Sequence, residues 1–177
     1  MKAKMVWALV AAVLGATVYG GVVFATPSSG LTTTILAKST FDDLNLRGQA
    51  LTTTAGPHGR PIPKSIWLAM LKTHGLSDLY VVDNKLAAGG TTGWHSHPGP
   101  SIIFVVAGAV TNYMGDDPSC TPHVYNAGQG FVDPGGRDEH ILRNEGSSPA
   151  ETIAVQFLPQ GADRKTDVPV APGNCPF

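Results

Sequence analysis

From about residue 66 onward, the chain is a succession of short apolar runs broken by tight-turn residues. The runs are Ile66–Leu71, Leu79–Val82, Ile102–Val106, Val110–Met114, His123–Tyr125, Gly130–Val132, His140–Leu142 and Thr152–Phe157. They are too short for stable helices, and several are dominated by β-branched and aromatic residues, so they predict strands. Between them lie Ala88-Gly89-Gly90, Gly115-Asp116-Asp117-Pro118 and Pro134-Gly135-Gly136, whose residue types favour tight turns. The expected fold class is all-β, an antiparallel barrel or jelly roll in which closure removes exposed sheet edges. Upstream, Leu31–Leu36 reads as a strand, Phe41–Leu46 as a turn or short helical piece, and Ala55–Pro63 as a Gly/Pro loop. These patterns divide the chain into a lead-in at 26–63, a barrel domain at 64–165 and a Pro-rich, aperiodic tail at 166–177 that should run extended over the barrel surface.

The first 25 residues have a different texture. Lys2 and Lys4 precede an uncharged run from Met5 through Val23, followed by a turn-forming stretch at Pro27-Ser28-Ser29-Gly30. Val23 and Ala25 are small residues placed for cleavage after Ala25, so residues 1–25 read as an export signal. The run is also as long as a membrane span, which leaves an uncleaved N-terminal membrane anchor as the alternative. Either way the expected location is secreted or cell envelope. Cys120 and Cys175 are the only cysteines, and an even count in an exported chain reads as one disulfide, here tethering the tail.

Composition narrows the partners. Charged residues make up 14%, the formal net charge is -1, and no basic stripe with interleaved aromatics is present, which excludes a nucleic-acid-binding face. A small molecule is the expected ligand. Trp67, Trp94, Phe104 and Tyr113 read as core or pocket lining, and His58, His74 and His123 as structural or solvated.

The chemistry concentrates at His95 and His97. Two residues apart on an extended segment, their imidazoles point to one face, as chelation of a divalent metal requires. His140 heads a later run after the turn at Pro134-Gly135-Gly136 and can deliver a third ligand from a neighbouring strand. The order Gly89, His95, His97, Ser101, Gly108 resembles the first motif of the cupin superfamily, with Ser101 where the family usually has Glu. The order Gly128, Pro134, Gly136, His140, Asn144 resembles the second motif, with one extra residue before the histidine. Counted strictly from Gly136, Glu139 falls in the histidine slot. The ligand sets are therefore His95, His97 and His140 or, alternatively, His95, His97 and Glu139; adjacent strand residues cannot both point inward. Asp138 shares the parity of His140, and Asn144 reads as a residue that caps backbone groups.

The resemblance implies a cupin double-stranded β-helix, a jelly-roll barrel, holding a divalent transition metal such as Fe, Mn or Zn. Two functions follow from it as expectations. One is a mononuclear metal-dependent oxidoreductase of the cupin dioxygenase type acting on a small organic molecule. The other is a non-catalytic metal- or small-ligand-binding cupin of the cell envelope. A homodimer through barrel edges is a further implication of the resemblance, and fold membership alone does not choose between the functions.

Overall fold

The computed structural model describes residues 26–177; the N-terminal segment read as a signal or anchor lies outside the described residues. Among the described residues there are twelve strands and a single turn of 3-10 helix. The longest strand, β4 (Ser77–Thr91), organises the barrel. On one edge it pairs antiparallel with β1 (Ser29–Phe41), and on the other with β11 (Ala150–Pro159). The sheet continues from β11 to β6 (Ser101–Ala107) and then to β9 (Gly130–Asp133). A second layer runs from β12 (Thr166–Asp167) through β5 (His95–Ser96), β10 (His140–Arg143) and β7 (Ala109–Met114) to β8 (His123–Asn126). The layers join at a corner where Arg143 of β10 pairs with Thr91 of β4. The result is a nearly closed jelly-roll barrel. Among the described residues, no helix is long and apolar enough to cross a membrane.

Alternation along the strands decides what faces inward. In β11, Ala150, Thr152, Ala154, Gln156 and Leu158 are buried and their neighbours less so; in β6 the buried residues are Ser101, Ile103 and Val105. The main core gathers Tyr80, Val82, Ile103, Val105, Val110, Phe131, Leu142 and Leu158. A smaller cluster of Trp94, Tyr113, Ile141, Val168 and Cys175 lies under the tail. Cys120 and Cys175 are joined by a disulfide, and Asn174 donates to the carbonyls of Met114 and Asp117, so the tail is held along its path.

Two segments differ from the sequence reading. The part read as a loose lead-in supplies β1, thirteen residues paired along most of β4; without it that edge of the sheet would be open. Ile66–Leu71, read as the first barrel strand, instead belongs to β3 (Pro61–Lys72), which pairs only with β2 (Asn45–Ala55) in a separate two-stranded sheet. The Gly/Pro loop forms the tip of this hairpin, with the 3-10 turn at Pro57–Gly59. Trp67 is therefore 56% exposed on the arm, and Phe104 points outward from β6 at 48%. Trp94 and Tyr113 are core residues.

Candidate metal centre

The site begins with a register. His95 of β5 and His140 of β10 are direct antiparallel partners, so their side chains leave the sheet on the same face. His97, two residues past His95, keeps the same parity, and Ser96 between them turns away. The three rings converge with centroids 4.4 Å, 4.8 Å and 5.5 Å apart. One nitrogen from each falls within 4.8 Å of the others, and His95 Nε2 stands 3.0 Å from His140 Nε2. All three residues are buried.

Backbone carbonyls set the orientation of two rings. The Nδ1 of His95 donates to the Gly93 carbonyl at 2.9 Å, and the Nδ1 of His97 donates to the Arg164 carbonyl. With Nδ1 carrying the proton, Nε2 presents a bare lone pair toward the cluster, which is the form a metal requires. Burial, reinforced by the neighbouring imidazoles, holds His95 well below its ordinary pKa. Burial likewise lowers His140 to about 3, so both rings are neutral at ordinary pH.

The choice between His140 and Glu139, left open by the extra residue in the second motif, is resolved by their positions. His140 is 2% exposed and belongs to the cluster. Glu139 is half-buried on the other side of β10, where its carbonyl accepts from the Gly115 amide, and it lines an outer groove with Asp116, Arg137 and the exposed Asp138. Asn144 donates from Nδ2 to the carbonyls of Leu86, Ala87 and Ser148, tying the end of β10 to β4. His58, His74 and His123 are exposed and remote from the cluster.

One residue near the cluster had not been singled out from the sequence. Asp133, 3% exposed, ends β9 with its Oδ2 3.5 Å from His97 Nε2 and 3.8 Å from His140 Nε2. Its other oxygen accepts the Gly135 amide at 2.9 Å. Burial raises its pKa, against the lowering pull of that amide and of His97. The available signal was parity: Asp133 shares the inward face of β9 with Phe131. Ser101 is its direct partner on β6, and Gln156 is the partner of Ser101 on β11. The two turns flanking the cluster also interlock. A side chain at Gly99 would collide with the Phe157 carbonyl, and one at Gly135, which has φ of 74°, with the backbone of Gly99.

The histidines open into a cavity of about 80 Å3, room for several waters or a small organic ligand. Leu31, Leu86, Ile103, Leu142 and Ala154 form its apolar wall, and Thr33, Asn84, Thr152 and Gln156 add neutral polar groups. Arg164 and Lys165 are the charged residues of the lining. Arg164 donates to Gln156 Oε1 at 3.1 Å, which fixes its approach to the cavity.

Residues 84–156 match the family described as "Cupin domain". No curated protein matches the chain at a significant level. Among solved structures, an oxalate oxidase in complex with the substrate analogue glycolate is similar over 51% of this chain and 46% of its own, with 25% identity and a TM-score of 0.44. An uncharacterized conserved protein with a double-stranded β-helix domain from Klebsiella pneumoniae is 20% identical over 51% of this chain and 74% of its own, with a TM-score of 0.43. A cupin superfamily protein from Desulfitobacterium hafniense is 11% identical over 45% of this chain and 67% of its own, with a TM-score of 0.39. The chain thus spans under half the length of the oxalate oxidase it resembles. The segment 84–156, which carries all three clustered histidines, matches the cupin family, and that match supports a cupin assignment for this part of the chain.

Proposed function

We propose that this protein is an exported cupin that holds a divalent transition metal on His95, His97 and His140 and uses it on a small organic anion. The observation that carries the reading is the convergence of three buried imidazoles, two with Nδ1 already committed to a backbone carbonyl and Nε2 aimed at a common centre. Iron, manganese or zinc suits this nitrogen-rich donor set. Such an ion, when bound, supplies Lewis acidity or a site for oxygen activation. The chain's own residues supply the rest. Leu86, Ile103, Leu142 and Ala154 restrict water around the ligand, and Arg164 and Lys165 favour a negatively charged one. Export rests on the N-terminal sequence and agrees with the Cys120–Cys175 disulfide, since such bonds persist in oxidising compartments.

One observation favours the second reading, a binder without turnover. The cavity lining carries no carboxylate, and the one beside the histidines, Asp133, is enclosed and lies outside that lining, so no carboxylate is open to an incoming ligand as a general base. Metal analysis tests the shared part of both readings. Protein prepared from metal-replete medium without chelators should carry about one transition-metal ion per chain. His140→Ala should abolish this and Glu139→Ala should retain it. Metal-free wild-type protein under those conditions overturns both readings. Oxygen uptake with small carboxylate or diketone compounds then separates enzyme from binder.

A further inference from the structure

Asp133 is a buried carboxylate with one oxygen left over. Oδ1 accepts the Gly135 amide and so holds the turn at Pro134-Gly135-Gly136. Oδ2 is fully enclosed and has no hydrogen-bond partner. A buried carboxylate oxygen without a partner is strongly disfavoured unless a cation meets it. No lysine or arginine does so; Oδ2 lies instead 3.5 Å from His97 Nε2 and 3.8 Å from His140 Nε2.

The side from which it approaches is decisive. A carboxylate that merely orients a metal-bound histidine receives the proton of the ring nitrogen facing away from the metal. For His97 that position is taken by the Arg164 carbonyl, and for His95 by the Gly93 carbonyl. Asp133 reaches the Nε2 side, where the free lone pairs converge. Donor atoms sharing an ion with bonds of about 2.1 Å stand about 3.0 to 3.4 Å apart when adjacent. The 3.0 Å between His95 and His140 fits that range, and the 3.5 Å and 3.8 Å of Asp133 exceed it only slightly.

We propose that Asp133 is the fourth, anionic ligand of the metal centre, a carboxylate supplied from β9 beside the position where Ser101 offers only a hydroxyl on β6. The inference rests on the three-histidine reading above. The register explains how the carboxylate arrives. Asp133 and Ser101 are direct cross-strand partners and so share the inward face, separated by one strand spacing. Both are buried, and the interlocked backbones of Gly99 and Gly135 bring the turns after His97 and Asp133 against each other. With one carboxylate and three neutral imidazoles, a divalent ion keeps a net single positive charge. Together with Arg164 and Lys165 this still favours an anion in the cavity.

Asp133→Asn separates ligand from turn support, because an asparagine Oδ1 can still accept the Gly135 amide while the negative charge is gone. Cobalt(II) chloride titrated into the metal-free full chain, followed by visible absorption, reads affinity and ligand set together. Wild type should bind, and Asp133→Asn should bind about 10-fold or more weakly with altered absorption bands. The metal-free variant should melt no lower than metal-free wild type, since a buried unpaired charge has been removed. Equal affinity and an equal spectrum in both proteins overturn this inference and leave the three-histidine reading intact. Weaker binding accompanied by a lowered metal-free Tm also overturns it, by showing that the side chain serves the turn. Failure of wild type to bind cobalt overturns both readings.

Discussion

The barrel and the β2–β3 arm are made of the same strand-forming residue types, yet they bury their side chains in opposite ways. In the barrel, β6 and β11 alternate, and each inward position meets another strand. In the arm every residue of β2 is exposed, as is every residue of β3 except the half-buried Leu71. That includes Ile66 at 68%, Trp67 at 56% and Met70 at 70%, in one of the most apolar runs of the chain. The hairpin is closed at its base, where Leu44 and Thr73 exchange two hydrogen bonds. A two-stranded hairpin is marginal by itself in water. The lesson is that β-propensity makes strands, whereas burial requires a partner layer, and only the barrel provides one.

The contrast can be broken at three strengths. The largest effect belongs to the tail, the other appended segment, which the barrel holds covalently. Cys175→Ser opens a link spanning 55 residues and should lower unfolding free energy by about 4 kcal/mol, read by denaturant titration. Next is the core: Leu158→Ala, at a side chain 1% exposed, should cost about 3 kcal/mol in the same assay. The smallest is the arm, where Ile66→Ala should change stability by no more than about 0.5 kcal/mol. A loss at Ile66 comparable to that at Leu158 would mean that the arm is covered in solution and that the comparison fails.

Much of the barrel was legible because its signals are local. Gly130–Val132, His140–Leu142 and Thr152–Phe157 fall within β9, β10 and β11, since short β-rich runs between Gly/Pro turns can hardly be anything else. The pairing of Cys120 with Cys175 followed from an even count of two. Local signals failed where two segments looked alike. The run Leu31–Leu36 and the run Ile66–Leu71 both read as strands, but one covers an edge of β4 and the other projects away, and nothing within either run distinguishes these outcomes.

The site divides in the same way. His95 and His97 share a face in any extended segment, so spacing alone placed them together. Glu139 and His140 could not be separated by counting, because one extra residue in a turn reverses the parity of everything after it. The antiparallel pairing of His140 with His95 settled which side chain enters the barrel. Asp133 was least visible, since its meaning depends on lying beside Ser101 across a strand pair, between residues 32 positions apart in the chain. By itself the sequence determined an all-β barrel, one disulfide and a histidine pair, because each rests on periodicity, turn chemistry or a count. Tertiary structure alone decided the third histidine, the buried carboxylate and the exposed arm, because those depend on which strands become neighbours.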